Sequence, residues 1–155
     1  MRPRVLVSLC LLGAGCRYDG KGNGVDLRKL MARAELVPVC PEQLGGLPTP
    51  RVPAERRGDR VVTRDGRDVT EAFENGAEET EMLAEQLDVR YAVLKSRSPS
   101  CGSVWIYDGT FSGKLVLGIG VTALALHRAG IGIYDEEHID DLIQRLDEER
   151  EIFHG

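Results

Sequence analysis

A chain of 155 residues, 42% hydrophobic and 29% charged, has the size and composition of one folded globule spanning residues 1–155, and lacks the low hydrophobicity of a disordered chain. Its 25 acidic residues against 20 basic ones leave a net charge of -5, which excludes a duplex-binding surface, because neutralising phosphates takes a basic face. Any nucleotide partner is therefore small.

The apolar run Val5 to Leu12 is interrupted by Ser8 and is too short to cross a bilayer. It continues into Gly13, Cys16, Arg17 and Tyr18 without a small-residue cleavage site, so it reads as a strand even though Arg2 and Arg4 imitate the start of a signal peptide. The expectation is a cytoplasmic chain without membrane contact. In that compartment thiols stay reduced, and the four cysteines are better explained by reaction or metal binding than by disulfides.

Arg4 to Leu9, rich in Val and Leu without helical period, predicts a first strand buried on both faces. Leu27, Leu30, Met31 and Ala34 then fall at helical spacing, and Glu35 to Val39 predicts a second strand, completing a βαβ unit. The proline-rich stretch Thr49 to Asp68 reads as an insertion, with Asp65-Gly66 as the turn of a small hairpin inside Arg60 to Val69. Asp68 or Thr70 caps a helix whose Phe73, Ala77, Thr80, Leu83, Ala84 and Leu87 form one apolar stripe, and Val89 to Leu94 is the third strand. Gly102 to Leu117 mixes turn signals with Val104, Trp105, Ile106 and Tyr107, and is a loop with room for short strands. Gly118 and Gly120 open a helix through His127 that Gly130 closes. Ile131 to Tyr134 is a fourth strand, and Asp135 caps a last helix with Ile139, Leu142, Ile143 and Leu146 inward. The alternation implies an α/β fold: a single three-layer domain with a mostly parallel sheet, Rossmann-like.

In such sheets ligands bind outside the carboxyl ends of the strands. Cys10 and Cys40 end the first two strands and Cys101 lies in Ser98-Pro99-Ser100-Cys101-Gly102 shortly after the third, so three thiols meet at one edge. Their gaps fit neither compact iron–sulfur runs nor paired zinc-ribbon motifs, and a single strand-end cysteine can simply fill space. Cys16 follows in a glycine-flanked loop, open as a fourth ligand, a sulfur acceptor or a bystander, and ranks as support behind the other three. Glu42 shares the crevice, where partial burial raises a carboxyl pKa toward the range useful for proton transfer. Ser98 and Ser100 offer hydroxyls, or turn chemistry alone. Lys95, Arg97, Arg17 and Lys21 bring positive charge that lowers thiol pKa values or meets an anion, if they are not simply a solvated rim. Gly118 and Gly120 lack the rest of a dinucleotide motif. His127, His138 and His154 fall in helices or the tail, which favours an all-thiolate cofactor over a Cys/His zinc site.

The segments Cys10-Leu-Leu-Gly-Ala-Gly-Cys16-Arg-Tyr-Asp-Gly20, Val39-Cys40-Pro-Glu42-Gln-Leu-Gly-Gly46-Leu-Pro-Thr-Pro-Arg51, Ser98-Pro-Ser-Cys101-Gly102 and Ile106-Tyr-Asp-Gly-Thr-Phe111 together resemble the thiouracil desulfidase family, long known as a bacterial domain of unknown function. The resemblance covers nearly the whole chain. It implies a [4Fe-4S] cluster held by three cysteines, matched here by Cys10, Cys40 and Cys101, with one iron left without a protein ligand. That open iron is a Lewis acid, polarising the thiocarbonyl of 2- or 4-thiouracil for attack by water to give uracil and sulfide with no net redox change. The resemblance also matches Glu42 to a proton-transferring carboxylate and Ser98 to a hydroxyl that assists the substrate; the reading of the residues adds Cys16, Ser100 and Lys95 around them. The expected partner is a small thiolated pyrimidine. Two rivals stand beside it: an iron–sulfur or sulfur-carrier module that delivers sulfur through Cys16 without hydrolysis, and a structural-thiol interaction domain, with or without zinc.

Overall fold

Four short apolar strands, β1 (Arg4–Ser8), β2 (Glu35–Val39), β5 (Tyr91–Leu94) and β8 (Gly132–Asp135), form one sheet in the order β2-β1-β5-β8. The computed structural model describes residues 2–154, with side chains through residue 152. Every pairing in this sheet is parallel, with Val5 opposite Leu36 and Tyr91, and Val93 opposite Tyr134. Side chains alternate along β1: Val5 and Val7 enter one core with Leu30, Leu142 and Leu146, and Leu6 enters the other with Ala84, Ala123 and Leu126. The first core is covered by α1 (Arg28–Met31) and α5 (Ile139–His154), the second by α3 (Thr70–Gln86) and α4 (Val121–Arg128). Helices on both faces of a parallel sheet make three layers, as the alternation of patterns implies. No helix among the described residues is long and apolar enough to cross a membrane.

Two strands start later than the apolar runs suggest. Val89 and Ile131 spend their N–H groups closing the preceding helices, on Ala84 O at 2.9 Å and Leu126 O at 3.1 Å, after a residue of positive φ at Asp88 (52°) and Gly130 (86°). Pairing therefore begins at Tyr91 and Gly132. Asp135 does not cap α5: its Oδ1 accepts the Glu137 N–H at 2.9 Å in a turn ahead of that helix.

The insertion holds two consecutive turns of antiparallel chain. β3 (Ala54–Arg57) pairs with β4 (Arg60–Thr63) around Gly58, and Asp65-Gly66 turns the chain back on β4 as a small hairpin, with Thr63 N donating to Arg67 O at 2.8 Å and Val69 N to Val61 O at 2.9 Å. The undecided stretch forms β6 (Trp105–Tyr107) and β7 (Leu115–Leu117), an antiparallel pair.

One element is invisible to periodicity. After Cys40, in extended conformation, Pro41 starts the one-turn helix α2 (Pro41–Leu44), its fixed φ suiting the first helical position. α2 crosses α3 with backbones almost touching: a Cβ on Gly45 would stand 2.0 Å from Ala72 O, and one on Gly76 2.0 Å from Pro41 O. Only glycine fits at that crossing.

Candidate active site

β1 runs straight into a 3₁₀ turn, Leu9–Leu12, that carries Cys10 over the carboxyl edge of the sheet; Gly13, at φ 91°, closes it by donating to Cys10 O at 3.1 Å. Cys40 leaves the adjacent β2 and precedes α2, while Cys101 sits in the loop after β5. Parallel strands end on the same side, so the three thiols converge. With Cys16 they line one cavity of about 620 Å³, and all four are free thiols.

Burial dominates their chemistry. It pushes Cys101 and Cys16 up to about 12, with Cys40 and Cys10 adding to the effect on Cys16, and it raises Cys10 despite the opposing influence of Asn23 and Lys95. Without a cation these sites hold neutral thiols. Cys16 is 4% exposed, and its carbonyl accepts from Arg51 Nη1 at 3.2 Å and faces Cys40 Sγ at 3.9 Å.

Glu42, on α2, enters the same cavity, and desolvation holds its carboxyl above the ordinary range even though the Arg51 guanidinium pulls the other way. Arg51 Nη1 is tied to Pro48 O at 3.2 Å and Thr49 Oγ1 at 3.1 Å, and Nη2 lies 2.9 Å from Glu42 Oε2. Ser98 also lines the cavity; its Oγ accepts the N–H groups of Ser100 and Cys101, each at 3.0 Å. With both lone pairs engaged, its O–H is left to donate. Ser100 sits behind the wall, 1% exposed, its Oγ 2.8 Å from Thr122 Oγ1 and 3.9 Å from Cys101 Sγ. Lys95 reaches the cavity with its ammonium held by Ser96 and, at 3.6 Å, by Glu136.

The cavity is electropositive: Arg17, Arg51, Arg64, Arg67, Lys95 and Arg97 line it, against Glu42 and Glu55. Lys21 does not reach it. Neither do His127 and His138, and the side chain of His154 lies outside the described residues. Glu55 escaped the reading of the sequence, and Arg51 and Phe111 stood in the segments that carry the resemblance without a role, because no local pattern marks what a residue from an insertion or a hairpin loop will touch.

Over residues 5–138 the chain matches the 2-thiouracil desulfurase family. It belongs to that family. It is 43% identical to an uncharacterized protein, YbbK, of Bacillus subtilis (strain 168), over 90% of this chain and 99% of that one. Among solved structures it superimposes on one described as the [4Fe-4S]-dependent thiouracil desulfidase TudS, with a TM-score of 0.90 and 44% identity, over 94% of this chain and 99% of the other.

The donor set can be tested against the cluster in that desulfidase. Three free thiols from separate elements line one cavity that no histidine side chain reaches among the described residues, an all-thiolate donor set of the kind that holds iron–sulfur clusters. A second sign of fit is Asn23: Nδ2 is buried without a hydrogen-bond partner beside the Cys10 thiol, while its Oδ1 is fixed by Arg17 Nη1 at 2.8 Å. A thiolate at Cys10 would accept that orphaned N–H. In this family member the residues present therefore fit a thiolate-bound cluster.

Proposed function

We propose that this chain is a cytoplasmic [4Fe-4S]-dependent desulfidase that converts thiouracil, or a closely related small thiolated pyrimidine, to uracil and sulfide. The observation that carries the reading is the convergence of three free thiols from three parallel strand ends on one cavity that also holds a buried carboxyl, in a chain of the 2-thiouracil desulfurase family. Cys10, Cys40 and Cys101 would hold the cluster, which when bound supplies Lewis-acid activation of a thiocarbonyl at an iron without a protein ligand.

The chain's own groups do the remaining work. Glu42 takes one proton from water as the new C–O bond forms and passes it to sulfur, and as the C–S bond breaks the remaining hydroxyl proton leaves to solvent, so that C=O forms, sulfur departs as hydrosulfide and no electrons are exchanged with an outside donor. Ser98 Oγ donates to a heteroatom of the ring, its direction set by the two N–H groups it accepts. The arginine-rich wall lowers the cost of negative charge developing on sulfur in a site of reduced dielectric.

The test is anaerobic reconstitution followed by iron and sulfide analysis beside a thiouracil-to-uracil assay. The loaded protein is brown and forms uracil; Ala at Cys10, Cys40 or Cys101 abolishes iron retention, and Glu42→Gln keeps iron while turnover falls by roughly 10²–10⁴-fold. A colourless, iron-free wild type sinks the reading, and persulfide on Cys16 with no uracil formed replaces it with sulfur carriage.

A further inference from the structure

We propose that Phe111 is the platform on which the substrate's ring lies, so that this cavity selects planar heteroaromatic thiocarbonyl compounds over acyclic thioamides. The inference rests on the desulfidase reading and adds the determinant of its substrate class. It starts from a backbone anomaly. Phe111 has φ 58°, in the left-handed region where a bulky side chain is out of place. Glycine would occupy that position freely, and the surrounding loop already has glycine at 109 and 113 with φ 92° and 81°.

The strained conformation is imposed from outside the loop. Glu55, on β3 and only 9% exposed, points its Oε1 at two backbone donors, Gly109 N at 3.0 Å and Phe111 N at 3.1 Å. A nearly buried carboxylate is thus devoted to holding one loop in one shape. Arg57 adds to it by donating from Nη2 to Gly109 O at 2.6 Å. The ring that results is clamped in turn: the Arg64 guanidinium stands 5.6 Å from its centroid. Glu55, Arg64 and Phe111 all line the thiol cavity, and they come from the insertion hairpin and the β6–β7 loop, elements distinct from those that bring the thiols.

Strain maintained by a buried charge is the pattern of a functional position, because a loop free to relax would have shed it. What the strain delivers is an aromatic ring at the cavity wall which, unlike Tyr18, Tyr107 and Phe73 on the same wall, is set in place by a side chain reaching its backbone from another element. Pyrimidines stack on such faces whatever their ring substituents, and an acyclic thioamide of equal polarity has no π-face of comparable size.

The experiment is calorimetric titration of uracil into the iron-loaded protein, beside kcat and KM for thiouracil and for thiourea. Phe111→Leu weakens uracil binding by about 10-fold or more, the range of one base–aromatic stack, and lowers the thiouracil-to-thiourea ratio of kcat/KM by a similar factor, with most of the change in KM. Phe111→Tyr and Phe111→Trp restore both. Phe111→Gly loses the binding but melts no lower than wild type, since it relieves the backbone. Unchanged uracil affinity in Phe111→Leu, or an equal loss for thiourea, overturns the proposal. A wild type that forms no uracil from thiouracil defeats the desulfidase reading instead, and the uracil titration still decides the role of Phe111.

Discussion

Arg51 Nη2 lies 2.9 Å from Glu42 Oε2, with the arginine side chain 7% exposed and the glutamate 21% exposed toward the cavity. Nη2 nonetheless makes no aligned hydrogen bond, so the two groups are coupled by charge more than by a directed N–H. Arg51 opposes the desolvation that raises the Glu42 carboxyl. Arg51→Met therefore raises it further, and since a proton acceptor must be ionised, the acid limb of the pH–rate profile moves to higher pH and turnover at neutral pH falls by roughly 10-fold. Arg51→Lys keeps the limb near its wild-type position. A limb that stays in place in Arg51→Met removes Arg51 from any part in setting the carboxyl.

The unpartnered Asn23 Nδ2 beside Cys10 predicts a role in holding iron. Asn23→Asp exchanges the N–H donor for a carboxylate next to thiolates, and iron passes to a chelator about 10–100-fold faster, the usual cost of losing a hydrogen bond to a metal ligand. Asn23→Ala gives a smaller acceleration. Release at the wild-type rate in both variants means that the amide contributes nothing to the ligand.

His138 Nδ1 stands 2.6 Å from Asp135 Oδ1, and that carboxylate holds the imidazole above its ordinary pKa. Because the folded-state value exceeds the unfolded one, the contribution to stability is complete below about pH 6.5 and disappears as pH rises through the folded value. The side chain is 55% exposed, so the effect is small. His138→Gln flattens the dependence of the urea midpoint on pH between about 5.5 and 8.5. Parallel profiles for the two proteins would show the contact to be energetically silent.

The central strands β1 and β5 were legible because they are buried on both faces and so appear as unbroken apolar runs, and the edge strand β2 keeps its predicted bounds Glu35–Val39 although Glu35 and Pro38 are exposed. Strand starts were less legible, since nothing in the letters at Val89 or Ile131 says that their N–H groups are taken by the preceding helix. The thiols could be placed at one edge from topology alone. Their neighbours could not: Arg51 reaches Glu42 from the insertion and Glu55 reaches Phe111 across two hairpins, contacts of long sequence separation with no periodic trace. Asp65-Gly66 marked a real turn, which closes the Val62–Asp68 bridge, whereas the β3–β4 pair ahead of it went unread.

The bare crossing of α2 on α3 bears on how sharply the carboxyl is located. α2 has 4 residues, too few to hold a helical shape unaided, whereas α3 has 17 and is fastened at its start by Val61 N donating to Thr70 Oγ1 at 2.8 Å. With Gly45 and Gly76 facing each other's backbones there is no side chain between the two helices to flex and absorb a displacement. The Glu42 carboxyl of this cavity is thus bolted to a longer strut, and its aim depends on two positions where the chain carries no side chain at all.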